Sequence, residues 1–196
     1  MTKRVKIALG GPPRSGKSCL RERLKAALRS RSEVWPYFLT TNPDGEGAWF
    51  QETYAHDREL AQRLRAAYKN GWTEDRVAIY ADWVKNCTAP LTFIDLGGRP
   101  DEASARICGH ATHAILIAPE PEGWKPWQEF CGRSNLSILA ELVSDYHAAE
   151  DRLGGVGADG VFRGAVHRLE RGEVEGVRPV VDALAEHILR RLESSD

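Results

Sequence analysis

The sequence contains no run of the roughly 18 to 20 apolar residues that a membrane span requires. Its opening, Met1-Thr2-Lys3-Arg4, passes straight into a short β-rich stretch with no cleavage-site pattern, so no signal peptide is expected. Four cysteines (Cys19, Cys87, Cys108 and Cys131) make neither a CxxC nor a Cys/His ligand spacing. That argues against a cysteine-bound metal and against a disulfide framework, and makes a reducing cytoplasm the expected compartment. Net charge is missing too: 27 basic residues face 28 acidic ones, so no global field marks a polyanion binder. Internal repeats and low-complexity tracts are absent. Secreted and membrane-spanning classes are thereby set aside.

What is present is an ordinary globular composition, 42% hydrophobic and 28% charged, with charge unevenly spread. The first 33 residues hold ten Lys/Arg against two acidic residues, a distribution that suits either a phosphate ligand or a solvated helix face. Apolar patterning predicts strands at 5–9, 34–40, 91–94, 113–118 and 161–169. Helices are predicted at 18–28, 53–69, 73–86, 102–108 and 136–146, and a last one opens at Pro179. Alternation of this kind implies right-handed βαβ units and a parallel sheet covered on both faces. The expectation is one α/β domain over residues 1–196, a three-layer sandwich with a mostly parallel five-stranded sheet. Residues 119–135, rich in proline and tryptophan, read as an excursion above the sheet and a candidate lid. Residues 152–160, with four glycines, read as a mobile segment.

Gly11-Pro12-Pro13-Arg14-Ser15-Gly16-Lys17-Ser18 fits GxxxxGK[ST] without a mismatch, directly after a strand and before a helix. Glycines let the backbone curl so that successive N–H groups point at phosphate oxygens, and the helix start adds its positive dipole end. These eight residues, with Cys19 in the first helical turn, are the predicted nucleotide cradle. Lys17 would lie between β- and γ-phosphates and the Ser18 hydroxyl would ligate Mg²⁺. Asp95, after four apolar residues, is the predicted second Mg²⁺ ligand at the end of a neighbouring strand. Asp95-Leu96-Gly97-Gly98 also reads as D-x-x-G, whose Gly98 N–H could contact a γ-phosphate.

At the end of the second strand, Asn42-Pro43-Asp44-Gly45-Glu46-Gly47 places two carboxylates one residue apart between glycines. Asp44 or Glu46 there could orient an acceptor hydroxyl as a catalytic carboxylate, ligate metal, or simply belong to a β-turn. Further absences narrow the class. No N-K-x-D appears, which disfavours a guanine-specific GTPase. No extra lysine opens the loop as in ParA-type deviant Walker motifs, and no Glu follows Asp95 as in AAA+ and RecA-like motors. What remains is similar to the nucleotide-kinase branch of P-loop proteins, in which the strand carrying Asp95 would adjoin the P-loop strand.

GPPRSGKS at 11–18, PDGEG at 43–47, DLGGRP at 95–100, THAILIA at 112–118 and NLSILAEL at 135–142 together resemble one group. It is the P-loop NTPase domain joined to, or found beside, ring-nuclease-type proteins of type III CRISPR systems; the resemblance covers roughly residues 5–145. It implies a setting in cyclic-oligoadenylate signalling with a ring nuclease as partner. A kinase in that setting would phosphorylate a hydroxyl of the oligoadenylate products; the loop and Asp95 themselves call for ATP and Mg²⁺, and a nucleoside hydroxyl is the other acceptor expected. Two activities are carried forward: phosphoryl transfer to such a hydroxyl, and an ATP-driven switch that acts on a protein partner.

Overall fold

The computed structural model describes residues 4–41, 53, 56–68, 73–170, 176 and 178–193. Its centre is β1 (Val5–Gly10), in which all six residues are buried. Ile7 and Leu9 enter one apolar cluster and Ala8 the other. A strand buried on both sides is what a parallel sheet between two helical layers demands. The remaining strands are β2 (Tyr37–Thr40), β3 (Leu91–Asp95), β4 (His113–Ala118), β5 (Ser137–Asp145), β6 (Arg152–Val156) and β7 (Phe162–His167). They lie in the order β2-β3-β1-β4-β5-β7-β6. Every pairing is parallel except that of β6 with β7.

One face is covered by α1 (Lys17–Arg31) and, at the far end of the chain, by the last helix (Pro179–Glu193). Leu20, Leu24 and Leu28 meet Leu184 and Ile188 in the same core cluster. The chain between them supplies α2 (Arg58–Tyr68), α3 (Glu74–Asn86), α4 (Glu102–Ile107) and α5 (Lys125–Arg133), so the last helix is α6. Val77, Val84, Ile107, Trp127 and Phe130 of α3, α4 and α5 fill the opposite face. Thr73 and Asp101 cap α3 and α4 by accepting from Arg76 N and Ser104 N, respectively. Lys6 of β1 donates through Nζ to the carbonyls of Val84 and Lys85 at the C-terminal end of α3. Burial lowers the pKa of Lys6; the helix end offers it carbonyls and negative potential in return.

Four expectations are corrected. The sheet has seven strands, not five. Residues 136–146 are not helical but form β5, the longest strand. Its pairing with β4 slips between Ile138 and Ala140, so Leu139 is an extra residue and both Leu139 and Ala140 enter the same cluster. That bulge shifts the two-residue alternation and leaves Leu136, Leu139 and Leu142 spaced as on a helix. Residues 152–160 are β6, an antiparallel edge, and the turn leading out of it. Residues 119–135 do not rise off the sheet as a bare excursion. They contain a 3₁₀ turn (Pro121–Trp124) and α5, with Trp127, Phe130 and Cys131 buried. No described helix is long and apolar enough to cross a membrane.

Candidate functional site

β1 leaves the sheet at Gly10 and α1 begins at Lys17, so residues 11–16 turn the chain at the carboxyl edge of the strands. The glycines are required by space. A Cβ on Gly11 would lie 2.0 Å from the Ile117 carbonyl oxygen of β4. Gly16 has φ +86°, and a Cβ there would meet Leu169 Cδ1 at 2.9 Å. Arg14 also adopts positive φ, at 63°. The loop is thus wound against the ends of β4 and of the segment that follows β7.

Gly16 is the N-cap of α1 and supplies no side-chain hydrogen bond; the first turn holds no acidic residue. The first intrahelical bond runs from Leu20 N to Gly16 O at 2.8 Å. The N–H groups of Lys17, Ser18 and Cys19 precede it and have no acceptor within the helix. Such a terminus is suited to an anion. Ser15 Oγ is fully buried in the loop with no hydrogen-bond partner, a polar atom placed for something the protein itself does not supply. Lys17 is buried, and its Nζ donates to the Gly11 and Pro12 carbonyls at 2.8 and 2.9 Å. Its ammonium therefore spans the mouth of the turn, where phosphate oxygens would exchange for neutral carbonyls.

Asp95 ends β3, the strand next to β1, as expected, and is 3% exposed. Arg21 Nη1 donates to Asp95 Oδ2 at 2.8 Å. The same nitrogen reaches Thr40 Oγ1 at 3.0 Å, and Nε donates to Glu22 Oε1 at 2.9 Å. Burial pushes the Asp95 carboxyl above the ordinary range, while the Arg21 and Lys17 charges pull it back. Thr41 is tied to the Asp95 peptide carbonyl twice, through its N–H at 3.1 Å and its hydroxyl at 3.0 Å. Gly98 packs directly on the loop: a Cβ there would sit 2.6 Å from Pro13 Cγ.

The structure therefore brings Gly11 to Cys19, Asp95 and Gly98 to one edge. Pro13 and Arg14 are exposed, and Pro12, Ser18 and Cys19 half-buried. Asp44 and Glu46 lie outside the described residues. Arg163 of β7 is tied to Glu141 and Asp159. The histidine His167 is held by Asp151 at 2.7 Å beside Arg178, a network that joins the end of β7 to the start of α6. Sequence reasoning missed Arg21. The available signal was its place four residues after Lys17, which on a helix puts it on the same face.

Ser18 and Asp95 are the groups that could hold a divalent cation. Among the described residues no cluster of three or more His, Cys, Asp or Glu could bind a metal. Mg²⁺ arriving with phosphates needs only one or two protein groups, so this pair fits it.

The sequence matches no protein-family model and no curated protein. Among solved structures it is similar to a plasmid partition protein of Borrelia burgdorferi bound to AMPPNP. That match has TM-score 0.61 and 10% identity and covers 96% of this chain and 99% of that one. A further plasmid partition protein structure from the same organism gives TM-score 0.62 at 10% identity over 96% and 100% of the two chains. Identity so low speaks for architecture alone. With the glycine-wound turn, the lysine across its mouth and the parallel strand order, it establishes that this chain has the P-loop NTPase fold.

Proposed function

We propose that the chain is a Mg²⁺-ATP-dependent phosphotransferase whose acceptor is a hydroxyl of a nucleoside or short oligonucleotide. The observation that carries the reading is Lys17 bridging the Gly11 and Pro12 carbonyls beside the orphaned Ser15 hydroxyl, with Asp95 buried on the adjoining strand. The loop N–H groups bind the β- and γ-phosphates, and Lys17 neutralises the charge that builds there during transfer. Mg²⁺, held by Ser18 and Asp95, would supply further charge neutralisation on the phosphate oxygens. Arg21 keeps the Asp95 carboxylate oriented. Asp44 or Glu46 positions the acceptor hydroxyl, and oligoadenylate is the acceptor that the resemblance to the CRISPR-linked group singles out.

A second reading, an ATP-driven switch acting on a protein partner, draws on Gly98. Its turn touches Pro13 of the loop, so a change of phosphate state is felt at once in Asp95–Arg99. Following γ-³²P from labelled ATP with Mg²⁺ separates the two. Label recovered on a nucleoside or oligoadenylate supports transfer. Free phosphate alone, at a rate that no acceptor changes, overturns it in favour of the switch. Size-exclusion profiles that differ between ADP and a non-hydrolysable ATP analogue would then be expected.

A further inference from the structure

A cavity of about 470 Å³ opens at the edge of the sheet opposite the P-loop. Its floor is His113 at the start of β4 and residues Ser137–Leu139 at the start of β5. One wall is the last turns of α6, with His187, Arg190 and Arg191; the other is Val156 at the end of β6 with Asp159 and Gly160 of the turn that follows. Gly11 abuts Ile117, four residues along β4 from His113, so the two sites stand roughly 13 Å apart at 3.3 Å per residue.

The chemistry of the lining is cationic. Arg191 Nε lies 3.4 Å from His113 Nε2, and His113 Nδ1 lies 2.8 Å from Thr112 Oγ1. With Nε2 accepting from the arginine, Nδ1 is the nitrogen left to donate to the threonine. Held by Nε, the Arg191 guanidinium keeps its two terminal amino groups for a planar, two-oxygen acceptor. Arg190 stands beside it. The carboxylate in the lining, Asp159, is already taken by Arg163 through two hydrogen bonds of 3.1 and 2.7 Å, which hold it down to about 2. Arg190 is offset by Glu186, 3.9 Å away, and the C-terminal end of α6 contributes about half a negative charge, less than the Arg191 guanidinium. Burial, with Arg190 and Arg191 beside it, lowers the pKa of His187. Its Nε2 is buried with no hydrogen-bond partner, and its ring stacks on Phe162. Ile138, Leu139 and Val156 make the rest apolar.

We propose that this cavity is a second ligand site, for a small organic phosphate. Its phosphate would sit on Arg191 and its organic part against Ile138, Val156 and the His187 ring. The volume falls in the range of small-molecule pockets. The site is independent of the P-loop reading: its residues come from the other ends of the same strands.

The test uses the full chain carrying Lys17→Ala, which cripples the loop site. Histidine imidazole resonances are followed by NMR while AMP, inorganic phosphate and adenosine are added separately. The expected result is a saturable His187 shift with AMP, a weaker response to phosphate, and none to adenosine. Arg191→Gln should weaken AMP binding by about tenfold or more, since it removes a charge-assisted pair of hydrogen bonds. Ser137→Glu, at an exposed lining position, should weaken it as well and needs no change in α6. No His187 response to AMP at about 10 mM, a concentration that would fill even a millimolar site, overturns the proposal. So does adenosine binding as well as AMP, or AMP affinity that neither substitution changes.

Discussion

The two edges of the sheet solve one electrostatic problem with different materials. At the carboxyl edge the anion site is made of backbone: N–H groups of Lys17, Ser18 and Cys19, glycines at positions where a Cβ cannot fit, and one lysine. At the amino edge it is made of side chains around a cavity lined by four separate segments. A backbone site depends on local chain geometry and so tolerates almost no substitution at its glycines. A side-chain site depends on which strands happen to lie together, and each contributor can be removed separately.

The largest effect expected to expose this contrast is Lys17→Ala. It should lower phosphoryl transfer or hydrolysis by about 10²- to 10³-fold, by loss of charge stabilisation in the transition state. Turnover of ATP is the measurement, and the amino-edge cavity should bind AMP unchanged. Next is Arg21→Ala, which leaves a buried carboxylate without its partner. A loss of about 3 kcal/mol in urea-induced unfolding is expected. The deficit should shrink as pH falls, because Asp95, whose carboxyl burial already holds above its usual range, then becomes neutral. Gly98→Ala should cost about 1–2 kcal/mol by overpacking against Pro13, read as weaker binding of AMPPNP in calorimetry.

The smallest effect is a pH dependence at the amino edge. His187 faces Arg190 and Arg191 of its own helix, His113 of β4 and Asp159 of the β6–β7 turn. Its folded pKa lies below the ordinary histidine value of 6.5, so the folded protein binds the proton less readily than the unfolded chain. That contribution to stability is complete above 6.5 and is lost as pH falls from there towards the folded value. The melting temperature should therefore drop between about pH 7 and pH 5, and His187→Gln should flatten that part of the profile.

The loop was readable because every requirement in it is local. Glycine at 11 and 16, lysine at 17 and serine at 18 follow from the geometry of one turn, and the central strands β1, β3 and β4 announce themselves as short apolar runs. β5 was not readable, because its bulge at Leu139 imitates helical spacing. β6 was not, because two glycines in five residues suggest a loop where the partner β7 imposes a strand. Arg21 looked like one more positive charge on a basic helix. Only the pairing of β2 and β3 beneath α1 turns it toward Asp95 and Thr40. The cavity at the other edge joins residues 113, 137 and 187–191, and no local pattern links them.

Thr41 has a consequence for how such a chain can diversify. It is fully buried, and its two bonds to the Asp95 carbonyl fasten the exit of β2 to the peptide of the proposed metal ligand. The residues that follow therefore start from a fixed post. Insertions and replacements from residue 42 onward thus leave the nucleotide end of the fold anchored where it is.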